Sequence, residues 1–241
     1  MEITLASSTL DMRADHEPRA DTRVVIVRLA DDAQPGLLLD AIRARGLGWQ
    51  TVGASSGALR ADPSSASAAI VLGSPGSAAN TEHGWSPEAI DWLRAADAAG
   101  TAILGVGTGA QALAVALGGG VEPAPAPVRG WRGVSTAVPQ IVAPGPWLTW
   151  HDDTLLIPPG GELLAYSDDG PQAFRVENHI GVHFYPYATP GIVRDWVYRE
   201  HTRPLDSQGL LEATSREFTR AATDAHELLA AFALEAELPG P

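Results

Sequence analysis

Leu104-Gly105-Val106-Gly107-Thr108-Gly109-Ala110-Gln111 is the stretch whose reading decides the fold. The apolar run Ala102, Ile103 and Leu104 enters it, and an Ala/Leu pattern from Ala112 to Leu117 leaves it at helical spacing. A buried strand that passes straight into a helix through glycines predicts a tight strand-to-helix turn. Such turns present one strained residue above a parallel sheet, in the manner of a nucleophile elbow. The residue at that position here is Gly107, which has no side chain to present. The chain contains no cysteine at all, so no thiolate can form on it.

Outward from the turn, strands and helices alternate. Arg23 to Leu29 (with Val24, Val25, Ile26 and Val27) is a continuous apolar run of the length expected for a buried parallel strand. Leu37 to Arg45 carries apolar residues at helical spacing and stops at Gly46. Trp49 to Val52 and Ile70 to Leu72 read as further strands. Ser86-Pro87-Glu88 is a helix start, with Ser as cap, Pro in the first position and an acidic first turn; that helix runs to about Ala99 and ends at Gly100. This alternation predicts an α/β fold, a doubly wound and mostly parallel sheet in a flavodoxin-like three-layer sandwich. Glu122 to Gly133, with its Pro-Ala alternation, reads as a loop, and short runs from Val134 onward read as antiparallel strands at the sheet edge. Residues 190–236 return to helical character, with Trp196, Val197, Leu210, Leu211, Phe218, Leu228, Leu229 and Phe232 as expected core. Residues 1–21 lack sustained periodicity and read as a mobile leader, leaving one domain over residues 22–236.

Composition bounds the function. At 241 residues and 45% hydrophobic, the chain can bury a full core. Every basic residue is Arg, which excludes lysine Schiff-base chemistry on this chain. A formal charge of −13 opposes a phosphate-backbone partner, so no nucleic acid is expected, and no stretch is long and apolar enough for a membrane span. The polar, acidic N-terminus (Asp11, Asp15, Glu17, Asp21) is unlike a signal peptide, and the lack of cysteine is compatible with a cytoplasmic protein. No metal or cofactor is expected: His16, His83, His179, His201 and His226 lack ligand spacing and read as surface or loop residues. Gly118-Gly119-Gly120 ends a helix and lacks the Lys-Ser/Thr of a phosphate loop.

Several motifs occur in a telling order. Ile70-Val71-Leu72-Gly73-Ser74-Pro75-Gly76-Ser77 is a strand running into a Gly/Pro/Ser loop. Ala116-Leu117-Gly118-Gly119 closes the elbow helix; Trp150-His151-Asp152-Asp153-Thr154, Pro158-Pro159-Gly160, Leu163 to Asp168 and Gln172-Ala173-Phe174-Arg175 follow. Gly181-Val182-His183-Phe184-Tyr185-Pro186-Tyr187-Ala188-Thr189-Pro190 comes last. Together they resemble the class I glutamine amidotransferases, in particular the single-domain members related to the glutaminase part of GMP synthase. The elbow there reads Gly-hydrophobic-Cys-x-Gly-x-Gln, and the last motif reads Gly-Val-Gln-Phe-His-Pro-Glu-x-Thr-Pro. The resemblance implies a Cys-His-Glu triad, whose positions in this chain are Gly107, Tyr185 and Tyr187. It further implies that Gln111 contacts the substrate glutamine, that backbone N–H groups at Ser74 (after Gly73) and Thr108 form an oxyanion hole, and that the loop at His151, Asp152 and Asp153 holds the substrate's amino-acid end.

Amide hydrolysis of this kind needs a nucleophile, a base and a group orienting the base. Gly107 can do nothing covalent, Tyr185 is a poor base at neutral pH, and Tyr187 has no fixed negative charge. Thr108 follows the elbow, so its side chain is expected to point away. Three readings stand for the tyrosines. They fill the vacated pocket as core; or, at alternate positions on one strand face with His183, they form a remodelled polar site aimed at Gly107; or they serve a protein interface. The chain is therefore expected to lack glutaminase activity and to act through a retained pocket. That pocket would take a small molecule with a carboxylate or carbonyl group, or a synthetase-like protein partner. The alternative is an enzyme recruited to a different, non-covalent reaction, in a specialised biosynthetic pathway, using Tyr185, Tyr187 and His183.

Overall fold

The computed structural model describes residues 22–30, 33–53, 59, 62–73, 86–199 and 207–238. The segment expected as a mobile leader, and with it His16, His83 and His201, lies outside them. An eight-stranded sheet carries the molecule, in the order β2-β1-β3-β4-β10-β9-β8-β6. Its parallel half contains β1 (Thr22–Arg28), β2 (Gly48–Gly53), β3 (Ala68–Leu72), β4 (Ala102–Val106) and β10 (His179–Val182). Each residue of β3 and β4 is buried, as expected for runs of Ala, Ile, Val and Leu covered on both faces. The antiparallel edge consists of β9 (Gly170–Val176), β8 (Glu162–Ser167) and the two-residue β6 (Ser135–Thr136).

Helices cover both faces, which makes three layers. One core joins β-strand side chains such as Ile26, Ile70 and Leu104 to α1 (Gly36–Ala44), α4 (Pro190–Arg199) and the 29-residue α5 (Ser207–Glu235). The other joins Val25, Val71 and Ile103 to α2 (Pro87–Ala98) and α3 (Thr108–Ala116). The start of α2 follows from its sequence: Ser86 Oγ accepts from the Ala89 N–H at 3.3 Å, and Pro87 occupies the first turn, where its missing N–H costs nothing. In α5, Leu228, Leu229 and Phe232 are buried as expected, while Leu211 and Phe218 are only half-buried.

Two sequence expectations need correction. Glu122 to Gly133 is not a loop: β5 (Gly120–Arg132) pairs antiparallel with β7 (Trp147–Leu156) as a separate two-stranded sheet. Its pairing skips from Pro123 to Val128, so Pro125 and Pro127 sit on an exposed, unpaired bulge, where they displace no ladder hydrogen bond, and Pro123 stands at the bulge's edge opposite Asp153. His179 is not a surface residue. It is 1% exposed in β10; its Nδ1 accepts from the Ile103 N–H at 3.1 Å, and its Nε2 lies 3.0 Å from Asp97 Oδ1, tying β10, β4 and α2 together. His226 is exposed as expected.

Candidate functional site

At the end of β4 the chain turns on Gly107, with φ +58° and ψ −122°, and enters α3 directly. Glycine reaches this conformation without the clash a side chain would bring. The Gly107 N–H donates to Val182 O at 2.9 Å, and its carbonyl accepts from Ala110 N and Gln111 N at 3.0 and 3.2 Å. The turn therefore has an elbow's backbone. What fills the space above it is Tyr185. A β-carbon built on Gly107 would stand 2.5 Å from Tyr185 Cζ and 2.7 Å from its Oη, closer than any real contact.

Tyr185 is held there from behind. Its N–H donates to Leu148 O at 2.8 Å, and its ring meets Trp196 edge-on at 5.0 Å and Tyr187 at 5.7 Å. Tyr187 packs on Trp196 as well and donates its hydroxyl proton to Gly73 O at 2.5 Å. Gly73, the residue after β3, lies against the start of α3, where a β-carbon on it would come within 2.6 Å of Thr108 N. Thr108 is buried, and Ser74 lies outside the described residues. The three triad positions thus meet as a glycine under the Tyr185 ring, with the Tyr187 ring packed beside Tyr185 and bonded to Gly73.

A second group of side chains sits beside the same helix start. Gln111 Nε2 lies 2.9 Å from His183 Nε2. With the amide nitrogen as donor, His183 accepts there and carries its proton on Nδ1. The His183 ring stacks on His151, centroids 3.8 Å apart and planes 12° from parallel. Behind it, the His183 N–H donates to Gln172 O at 2.8 Å, continuing the β9–β10 ladder by one residue. All four side chains are at most 1% exposed. Yet Gln111 Oε1, His183 Nδ1 and Gln172 Oε1 have no hydrogen-bond partner among the described residues, and the His151 ring has only a marginal contact with the backbone of Asp153.

Burial decides the charge of both rings. It pushes His151 from 6.5 down to about 4; Arg129 adds to the lowering, while Asp169 and Asp152 oppose it. It holds His183 well below the usual imidazole range, and neighbouring His151 lowers it further. Both are neutral at pH 7. Asp152 itself is bound at the surface, accepting from Arg129 Nη2 at 2.6 Å.

Two expected placements change. His151, Asp152 and Asp153 lie within strand β7, not in a loop. His183 does not share the tyrosines' direction: β10 ends at Val182, so the period of two stops there, and His183 turns to Gln111 and His151. Gln172, quoted only within a motif, and Trp196, expected only as core, join these two groups, because their neighbours come from ladder register and from helix docking. Among the described residues, no three His, Asp or Glu side chains gather as a metal-binding set, and no helix is long and apolar enough to cross a membrane.

Comparison with known proteins agrees with this geometry. Residues 34–186 match the family model described as glutamine amidotransferase class-I. A crystal structure of a glutamine amidotransferase from Methylobacillus flagellatus superposes with a TM-score of 0.78 at 22% identity, covering 92% of this chain and 97% of that one. One from Thermotoga maritima superposes at 0.77 and 20% identity, covering 91% and 100%. A structure described as a GMP synthase subunit, from Thermoplasma acidophilum, superposes at 0.53 and 18% identity, covering 86% and 98%. No curated protein matches by sequence.

Proposed function

The chain belongs to the class-I glutamine amidotransferase family, and from that membership we propose that it is a member which hydrolyses no glutamine and acts by binding. One observation carries the reading: the Tyr185 ring occupies the space that any side chain on Gly107 would need. Covalent amide hydrolysis requires a nucleophile at the elbow with a base beside it. Here there is no side chain at the first position, and at Tyr187 the hydroxyl proton is committed to Gly73 O. What the family fold still offers is backbone: an elbow turn opening a helix, whose N-terminal end favours negative charge. The ligand we propose for that end, near Gly73 and Thr108, is a small molecule bearing a carboxylate or carbonyl group. The rival reading, non-covalent catalysis by Tyr185, Tyr187 and His183, loses support because His183 turns away from the tyrosines and Tyr187 is already engaged.

Two measurements test this. Purified protein supplied with glutamine should release no glutamate above a protein-free blank, and reproducible release that copurifies with the chain would overturn the proposal. Native mass spectrometry of protein taken from its own host should then find a carboxylate- or carbonyl-bearing compound. Recovery of a stoichiometric synthetase-like protein in its place would move the binding role to a protein partner.

A further inference from the structure

The edge of a sheet carries a row of unpaired N–H and C=O groups, and soluble proteins blunt it with brevity, charge, proline or a cover. Three edge strands can be compared here. β6, on one side of the large sheet, is two residues long. β5, in the small sheet, carries Pro123, Pro125 and Pro127. β2, on the other side of the large sheet, is six residues long and reads Gly-Trp-Gln-Thr-Val-Gly, with neither a charge nor a proline. It pairs with β1 without a break from Trp49 to Gly53, and no other strand pairs with it among the described residues. Charge sets this edge apart as well. Residues 34–53, which span α1 and β2, hold one acid, Asp40, and two bases, Arg43 and Arg45, in a chain whose formal charge is −13. Residues 162–170, beside β6, hold Glu162, Asp168 and Asp169 and no base. Two copies of so acidic a chain repel each other, and least where acid is scarce.

We propose that β2 is an interface for a second copy of this chain, which adds its own β2 antiparallel about a two-fold axis normal to the sheet. Residues that face each other in an antiparallel pair lie on the same side of the sheet, so the axis passes through a residue and not between two. An axis at Gln50 sets Trp49 against Thr51 of the partner subunit, an aromatic ring beside a β-branched side chain, and symmetry repeats the pair. It also brings the two Gln50 amides face to face, each able to donate and to accept. Arg43 of α1 lies over the Trp49 ring, its Cζ 5.2 Å from the centroid, so α1 accompanies β2 on the face that carries Trp49. Asp40 and Arg43 are both exposed on that helix and only loosely paired, at 3.7 Å. Antiparallel copies of α1 set unlike charges toward each other. This interface goes beyond the function proposed above and does not rest on it, since β2 lies three strands along the sheet from β4, whose end carries Gly107.

Sedimentation equilibrium of the full chain, from micromolar to submillimolar concentration, should show a monomer–dimer equilibrium. Gln50→Glu and Gln50→Lys then test the register. Gln50 is exposed, so neither change disturbs the core. Each puts like charges opposite one another across the axis and should weaken the dimer by at least about tenfold. Mixed in equal amounts, the two variants should regain the natural affinity as a heterodimer, because the axis then joins unlike charges. A chain that stays monomeric throughout that range overturns the proposal, and slow amide exchange along β2 in such a monomer would assign the cover to residues outside the described ones. A dimer indifferent to both substitutions, weakened by one sign of charge alone, or not restored by mixing overturns it too, since association would then use another surface or another register.

Discussion

At Gly107 the first turn of α3 meets phenol rings packed against it, while at Gln111, one turn on, it meets imidazoles whose nitrogens are largely unmatched. The two regions lie on one helix start and are packed differently. Where the nucleophile's side chain is missing, aromatic surface fills the gap, and each such ring brings a large apolar area and edge-to-face contacts. At Gln111 the surroundings are buried and polar, with several atoms lacking a partner among the described residues. Side-chain space is filled at one end of the turn, and polar atoms stand unmatched at the other.

The sharpest way to break this contrast is Gly107→Ala. The new β-carbon meets both a strained backbone and the Tyr185 ring, so the loss should be about 4 kcal/mol, the sum of typical strain and overpacking costs. Adding Tyr185→Leu should recover part of it, because the two positions share one volume. Chemical denaturation of both variants decides the matter: a loss near 1 kcal/mol, unrelieved by the second change, would mean that the ring is no plug.

Acid should act on the other region. The folded-state value of His151 lies below its unfolded value, so above pH 6.5 both states are neutral and the ring contributes nothing. As pH falls from 6.5 toward 4, the unfolded chain takes up a proton that the folded chain refuses, and about 3 kcal/mol of stability is lost. His183 pushes in the same direction. Melting temperatures measured across this window should fall steeply in the natural protein and less so in His151→Phe; parallel curves would contradict the assignment.

Smaller effects refine the picture. Tyr187→Phe keeps the packing but leaves Gly73 O without its donor, at a cost of about 1–2 kcal/mol by urea unfolding. Asp152→Asn should change stability by less than about 1 kcal/mol, because its pair with Arg129 is partly exposed, and added salt should erase the difference.

The parallel half of the fold was legible because its strands are continuous apolar runs and its helices carry their own start signals, as at Ser86 and Gly107. The elbow was legible from glycine spacing alone. The second sheet was not. Three prolines in β5 signal a loop by every local rule, and only the partner strand β7 shows that two of them occupy a bulge and the third stands at its edge. The candidate site was legible as a set of positions more than as an arrangement. Alternation in Gly181 to Tyr187 suggested one shared face, but strand geometry ends at Val182, and the side chains then part company. The stacking of His151 on His183 depends on where β7 and β10 dock, information that no local pattern in the chain carries.

The ring above Gly107 also makes this lineage's history hard to run backwards. A single codon change could place a cysteine at the elbow, but that protein would carry a thiol forced against Tyr185, which stands where the resemblance implies the triad histidine. It would lose stability before it gained any rate. Tyr185 would have to change first, and that step alone would hollow out the packing around Trp196 and Tyr187 with no catalytic return. Each order of reversal thus begins with a loss, and selection would hold the descendants of this chain to whatever role the protein took up after the cysteine was gone.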